Sequence, residues 1–291
     1  MIWNALSVDV EDWFHILETE QAPSLEKWPS LQGRVYQNTV ALLDLLSQCG
    51  VTGSFFILGW IAEKYPWLVE CIKRQGHEIG SHGYAHVPAF HQTPEEFRDD
   101  IARSVAVIQG LSGVKPVGYR IPGFSLTPRV PWVFETLIEA GFRYDSSLVP
   151  GYRFHGGWVG SPYLPHKVRI KSGLEISEFP ISTLGLGRKR IPFLGGGYLR
   201  ALPLTFSACG LAFLNAHGIP GVLYIHPRDF DPWQPRLRMP LLRHVASYTG
   251  LRSCQPKLRF LLSRFHFTTV TNALEDFFSR SPAQVWKPGK F

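Results

Sequence analysis

Short apolar runs alternate with amphipathic stretches through the first two thirds of the chain. Ala5–Val10 is an apolar run that closes on acids, and Ser54–Leu58, Glu78–Ser81 and Val117–Ile121 are further strand-like runs, with Tyr144 opening another. Between them lie helical patterns. Val35–Cys49 places Val35, Val40, Leu42, Leu43, Leu45 and Leu46 at helical spacing and stops at Gly50; Trp60–Gln75 ends at Gly76; Arg129–Ala140 follows the fourth run. Thr93-Pro-Glu-Glu predicts a helix start, with Thr93 as N-cap, Pro at the first helical position and Glu96 closing a capping box, and that helix runs to about Ile108. Strand–helix repeats require a parallel sheet, because parallel neighbours need a long crossover. This many repeats predict an α/β fold of the (β/α) barrel type, distorted and seven-stranded. Such barrels gather reactive residues at the C-terminal ends of their strands.

From about Gly151 to Gly197 the chain is rich in Gly, Pro and basic residues, with one strand-like stretch at Leu174–Ile181. The reading here is long loops over the barrel mouth, ending in Gly195-Gly196-Gly197. Three glycines in a row serve either a tight turn or a phosphate cradle, and the turn is the commoner use. Leu202–His217 reads as helix, Gly221–Ile225 as a buried strand, Leu241–Tyr248 and Lys257–Ser263 as short helices, Phe267–Val270 as a last strand and Asn272–Phe278 as a closing helix. No repeat or linker appears. The 291 residues therefore read as one domain at the upper edge of single-domain size. Residues 1–150 and 218–230 hold the reactive motifs, 151–217 the mouth loops and a helix, and 231–291 a C-terminal elaboration.

Cys49, Cys71, Cys209 and Cys254 are widely spaced, which argues against thiolate zinc and against a disulfide framework. Met1 leads straight into a strand with no basic leader, and no apolar run reaches the roughly 18 residues needed to span a bilayer. The expected location is the cytoplasm. The 9 Trp, 10 Tyr and 20 Phe exceed what a core needs, so some are available to stack on sugar rings in a groove.

The chemistry concentrates at the predicted strand ends. Ser-Val-Asp9-Val-Glu11-Asp12 puts three carboxylates after the first strand, and alternation points Asp9 and Glu11 to the same face. His82-Gly-Tyr-Ala-His86 has the spacing that lets two imidazoles converge on one ion. One carboxylate with two histidines, leaving positions open for water, suits a catalytic divalent metal, with Zn favoured and Co or Ni able to substitute. His15, His77, His91 and His155 lack partner spacing and read as structural or solvent-exposed.

These pieces together resemble the polysaccharide deacetylases of carbohydrate esterase family four, the NodB-homology fold. Ser7-Val-Asp9-Val-Glu11 resembles the first motif and Ser81-His82-Gly-Tyr-Ala-His86 the metal-binding motif. Gly118-Tyr-Arg120-Ile-Pro122-Gly123-Phe resembles the third, Tyr144-Asp145-Ser-Ser-Leu the fourth and Leu223-Tyr-Ile-His226-Pro the last. Gly-Gly-Gly-Tyr198-Leu-Arg200 and His226-Pro-Arg-Asp-Phe-Asp231-Pro further resemble a subgroup associated with bacterial exopolysaccharide synthesis. The resemblance implies that Asp9 is the general base, that Glu11, His82 and His86 hold the metal, and that His226 is the general acid. It implies that Arg120 fixes Asp9, that Asp145 orients a partner such as His226, and that the Gly123 N–H meets the oxyanion. Tyr224, Tyr198 and Arg200 fall on the substrate side. The sequence departs from the family's adjacent acid pair, which keeps Asp12 as the alternative ligand. The fourth motif lacks its usual Trp, and Tyr224 stands where an apolar residue often lines the acetyl pocket.

The implied reaction is hydrolysis of N-acetyl groups on an amino-sugar-containing saccharide. Two other readings stay open: a cyclic imide or ureide amidohydrolase, which shares the His-Gly-Tyr-x-His pattern, and a non-catalytic saccharide-binding module. Charge adds one expectation about partners. Residues 1–150 carry 11 Lys+Arg against 17 Asp+Glu, whereas 151–291 carry 19 against 6. The basic residues include Arg153, Lys167, Arg169, Lys171, Arg188, Lys189, Arg190, Arg200, Arg236 and Arg238, several in the predicted mouth loops. A one-signed field of this kind favours an anionic or lipid-pyrophosphate-linked saccharide and peripheral contact with the inner membrane face. No nucleic-acid motif is present, and nothing in the sequence sets an oligomeric state.

Overall fold

The computed structural model describes residues 1–289 apart from 18, 20, 152–155, 187 and 188, so Arg153, His155 and Arg188 fall outside the described residues. In chain order the elements begin β1 (Asn4–Val10), α1 (Val35–Cys49), β2 (Ser54–Ile57), α2 (Gly59–Lys64), α3 (Pro66–Arg74), β3 (Glu78–Ser81), α4 (Pro94–Ser112), β4 (Gly118–Tyr119), α5 (Trp132–Glu139) and β5 (Tyr144–Asp145). They continue with β6 (His166–Arg169), β7 (Glu175–Glu178), β8 (Thr183–Leu186), β9 (Lys189–Pro192), α6 (Gly196–Ala201), α7 (Leu204–Ala216) and β10 (Val222–Ile225). Last come α8 (Leu241–Tyr248), α9 (Leu251–Arg264), β11 (Phe267–Thr268), α10 (Val270–Arg280) and β12 (Val285–Trp286).

Seven strands run parallel in the order β10-β1-β2-β3-β4-β5-β7, and this is the distorted barrel wall. Strand alternation decides what each face buries. Leu6, Val8 and Val10 of β1 pack outward with Leu42 and Leu46 of α1, Ile72 of α3 and Leu258 of α9. Each such fully buried aliphatic side chain contributes roughly 1.5–3 kcal/mol. Ala5 points the other way, into a cluster with Phe56, Tyr144, Phe179, Val222 and Tyr224. Those residues come from both ends of the strand order, so the sheet curls until its edges share one interior. The gap between β7 and β10 is bridged by the connecting segment: Val222 N–H donates to Ser182 Oγ at 2.7 Å, and Tyr224 N–H donates to the Leu194 carbonyl at 3.1 Å.

The sequence reading departs from this structure in places with clear causes. The single helix over Trp60–Gln75 is two, because Pro66 pushes Tyr65 out of helical geometry (φ −130°, ψ 65°) and then starts α3. The helix expected from Lys257 begins six residues earlier and runs through Pro256. The region read as mouth loops contains four short strands. β6 pairs antiparallel with β7, and β12 extends that edge, so Lys167 and Arg169 stand at the far rim of the sheet. There Lys167 Nζ donates to Ser177 Oγ and Arg169 Nε to Glu175, and neither is a loop cation over the mouth. The Thr93–Glu96 capping box closes as read.

Candidate active site

The strand ends converge. β1 carries Ser7 and Asp9 on its inner face, with Glu11 just beyond its end; His82 directly follows β3, Arg120 follows β4 and His226 follows β10. Glu11, His82 and His86 are all buried, and their ligand atoms lie within 4.8 Å of one another. His82 Nε2 is 3.1 Å and His86 Nε2 2.9 Å from the same oxygen, Glu11 Oε1. His82 Nδ1 lies 2.7 Å from the Arg120 carbonyl, which can only accept, so Nδ1 carries the proton. With Nδ1 so engaged, Nε2 is the His82 atom left to face a cation beside Glu11 Oε1. This is the donor set and the outer hydrogen bond that a divalent metal uses. Burial opposes ionisation of Glu11, but His86, His226 and His82 outweigh it and hold the carboxyl well below its ordinary range. His86 keeps a left-handed backbone (φ 55°), which a non-glycine residue adopts at a cost of order 1 kcal/mol.

Asp9 sits beside this cluster, 1% exposed. Arg120 Nη1 donates to Asp9 Oδ1 at 3.0 Å and to Ser7 Oγ at 2.8 Å. The rest of the guanidinium is fixed by the Ser146 carbonyl and hydroxyl, and it stacks 4.5 Å above the Phe56 ring. Arg120 is therefore no surface arginine; it is wholly buried. His226 faces Asp9 from the other side, with Nε2 3.8 Å from Asp9 Oδ2 and 3.9 Å from Glu11 Oε1.

The carboxylate that orients His226 is Asp229, which corrects the expectation placed on Asp145. Asp229 Oδ2 is 3.0 Å from His226 Nδ1 and accepts the His226 backbone N–H at 2.9 Å. Burial acts against the Asp229 charge, but Arg200, His226 and Arg228 hold its carboxyl far below the ordinary value. Asp145 lies on the opposite face of the sheet. It accepts from Ser147 Oγ and hydrogen-bonds Glu178. Arg200, expected on the substrate side, is 4% exposed and lies beneath Asp229. Its Nε donates to Asp229 Oδ1 at 2.8 Å, and its other nitrogens to the Thr249 and Ala246 carbonyls. Tyr198 is half-buried one turn-half before it on α6.

Asp12, the alternative ligand, points elsewhere. Its two oxygens accept from the backbone N–H groups of Trp13, Arg34 and Val35, capping the turn after β1 and the start of α1. His15 is buried against Trp28 and Trp60 and accepts the Asp12 N–H, which is the structural role. Gly123 has φ 65° and packs against Leu17, and Tyr224 packs on Phe124 and His226 inside the barrel mouth. The triple glycine, read as a tight turn or a phosphate cradle, caps and opens α6. A Cβ on Gly195 would meet the Tyr224 ring at 2.2 Å and one on Gly196 would meet Asp229 Oδ2 at 1.9 Å. Their smallness lets α6 close over the support of His226.

Sequence reasoning missed Asp229, Arg200 as its partner, and Arg228. Arg228 Nε lies 3.9 Å from Glu11 Oε2, and Nε and Nη1 are buried with no hydrogen-bond partner among the described residues. A signal for Asp229 existed: His226-Pro-Arg-Asp229 has the spacing of a capping box with Pro at its first position, and that box forms.

Residues 32–144 match the polysaccharide deacetylase family, and residues 146–275 match a family described as a domain of unknown function (DUF3473). The chain is 36% identical over 98 residues to a peptidoglycan-N-acetylglucosamine deacetylase of Bacillus cereus, covering 33% of this chain and 36% of that protein. It is 32% identical over 108 residues to a peptidoglycan deacetylase of Helicobacter pylori, covering 37% and 36%. The chain thus spans 36% of the length of each of these two curated relatives. Among solved structures it resembles a Mycobacterium smegmatis protein assigned as a polysaccharide deacetylase, with TM-score 0.65, 21% identity and coverage of 99% and 95%. It also resembles the Puue allantoinase, with TM-score 0.62, 16% identity and coverage of 97% and 92%. Both likenesses are of fold.

Proposed function

We propose, starting from the polysaccharide deacetylase domain that the chain carries, that this protein hydrolyses N-acetyl groups on an amino-sugar-containing saccharide with one divalent metal held by Glu11, His82 and His86. The names of the Bacillus and Helicobacter relatives support a cell-surface glycan as the substrate class, and the reading extends to exopolysaccharide synthesis. The observation that carries the reading is the convergence of buried Asp9 and Arg120 and half-buried His226 around that ligand set. When bound, Zn2+, or Co2+ or Ni2+ in its place, supplies a Lewis acid for the amide carbonyl and for a water molecule.

The protein's own residues supply the proton transfers. Asp9 takes a proton from the attacking water; Arg120 fixes its Oδ1 and leaves Oδ2 facing the site. The water oxygen adds to the acetyl carbonyl carbon, with the Gly123 backbone N–H assigned to the developing oxyanion. His226 Nε2 then gives a proton to the nitrogen as the carbon–nitrogen bond breaks, releasing acetate and a free amine. Asp229 stabilises the imidazolium that donates, and Arg200 keeps Asp229 ionised. Tyr224 forms the wall of the acetyl pocket.

The test is acetate release from N-acetylglucosamine oligomers and carrier-linked forms, run beside ring opening of a cyclic ureide, with and without chelator. Acetate release that chelation abolishes and Zn2+ restores is the expected result. Ring opening without acetate release would move the protein to the cyclic amidohydrolases, and saccharide binding without either reaction would make it a binding module.

A further inference from the structure

From Pro232 to Leu274 the chain holds seven Lys and Arg residues and not one Asp or Glu. Within this stretch, α8 turns an apolar face to solvent. Leu241 is 78% exposed, Leu242 87% and Val245 48%, and Trp233 nearby is 73% exposed. Aliphatic side chains at such exposure have no role in the core of this fold, and two leucines with a valine on one face of a single helix form a patch rather than scattered surface residues. Beside α8 a cleft of about 630 Å³ is lined by Trp233, Arg236, Tyr248 and Arg252. Arg252 lies over the Trp233 ring at 5.1 Å and Arg236 over the Tyr248 ring at 5.5 Å. Apolar face, tryptophan and arginine rim together are the composition of a helix that lies in the plane of a bilayer surface. At eight residues, α8 is far too short to cross one.

The placement of α8 gives the patch a purpose. Arg243 Nη2 donates to the Leu17 carbonyl at 2.5 Å, and Leu17 packs against Gly123 at the barrel mouth. Thr19 and Gln21 are also tied to the stretch before α8, through Thr19 Oγ1 to the Arg238 carbonyl and Arg238 N–H to Gln21. Whatever surface α8 rests on therefore lies beside the entrance to the site.

We propose that α8, with the Trp233–Arg252 cleft, is a docking face for an anionic lipid bilayer. Leu241, Leu242 and Val245 enter the headgroup boundary, and Arg236, Arg238 and Arg252 meet lipid phosphates. A second copy of the chain is the other occupant such a patch could take. Two-fold self-association would set this acid-free rim against itself, and the like charges oppose it. The proposal goes beyond the deacetylase reading and does not depend on it.

The experiment is co-sedimentation of the full chain with phosphatidylcholine vesicles, with or without about 30% phosphatidylglycerol, at low and high salt. Leu241→Glu/Leu242→Glu and Arg236→Glu/Arg238→Glu are compared with the parent, and each variant's acetate release from a soluble oligosaccharide is measured as a control for folding, with thermal melting as a second control. Binding to the anionic vesicles at least about tenfold stronger than to the neutral ones, weakened by salt and reduced about tenfold or more by either double change in a folded protein, is expected. Equal binding by parent and folded variants would overturn the proposal, as would indifference to phosphatidylglycerol. So would a dimer of the parent, seen by light scattering, that Leu241→Glu/Leu242→Glu dissociates without any vesicle binding by the parent.

Discussion

Asp9 and Glu11 on the inner face of the sheet, and Asp145 and Glu178 on its outer face, are four carboxyl groups at most 5% exposed. Their partners differ. The inner pair meets Arg120, His82, His86 and His226. The outer pair meets chiefly itself. Burial pushes Asp145 up to about 6, and burial with the Asp145 charge pushes Glu178 well above its ordinary range, whereas Glu11 is held well below its own. Equal burial therefore moves Glu11 and Glu178 in opposite directions, and the cations at hand decide which. Glu11 is thereby held as a carboxylate suited to a metal, and Asp9 keeps one oxygen turned to the site. The outer pair shares a proton and serves as a brace. Leu148 N–H donates to Glu178 Oε1, Ser147 Oγ to Asp145 Oδ1, and the Ile121 N–H to Ser147 Oγ, which fixes the loop whose Ser146 grips Arg120.

The comparison breaks first, and by the largest margin, if the inner pair is dispensable. Asp9→Asn is expected to lower kcat about a thousandfold or more while bound metal and circular dichroism stay unchanged, since the base is lost and the ligands remain. His82→Ala and His86→Ala are expected to lose the metal itself, read by elemental analysis of the purified protein. Full metal occupancy in both His variants, or near-parent turnover by Asp9→Asn, would show that the inner cluster is structural.

A smaller effect is expected one step out, at the carboxylate that supports His226. Asp229→Asn removes the charge that stabilises a protonated His226, so kcat should fall about ten- to a hundredfold with little change in KM. Arg200→Met leaves Asp229 as a buried carboxylate without its main partner, which costs about 3 kcal/mol of stability by urea denaturation. Asp229→Asn turning over as the parent does would return the orienting role to another residue.

The inner pair was legible in the sequence and the outer pair was not, for reasons of register. Asp9, Glu11, His82, Arg120 and His226 each follow an apolar run, and alternation points Glu11 inward with Asp9, while Asp12, kept as the alternative ligand, caps α1. The same parity places Asp145 outward, since Tyr144 and Ser146 face in. Motif order pointed to Asp145 as a helper of the site, and β5, a two-residue strand, was too short to contradict it. Arg200 read as a substrate residue through the motif resemblance that carries it; its partner Asp229 lies 29 residues ahead and becomes its neighbour only when α6 packs on β10. Of the four strands between Tyr144 and Gly195, β7 lies within the strand-like stretch Leu174–Ile181; the other three carry no long apolar run, each being four residues long and mixed in polarity, as in His166-Lys-Val-Arg169.

The smallest effect is also the most direct test of the outer pair. Asp145 Oδ2 and Glu178 Oε2 have no other partner among the described residues, so the proton they share lies between them. Both carboxyls have folded-state values above their ordinary ones, so the folded protein keeps protons that the unfolded chain has released. Their contribution to stability is full at pH values below about 4 and declines as pH rises through about 6 and beyond. Glu178→Gln imitates the protonated acid: its amide can donate to Asp145, and its carbonyl can still accept from Leu148. The variant should match the parent near pH 4.5 and gain on it by about 1 kcal/mol at pH 8, read as urea midpoints in chelated protein, with acetate release within about threefold of the parent. A Glu178→Gln protein that is less stable than the parent at pH 8, with the same pH slope, would mean that both outer carboxyls are ionised.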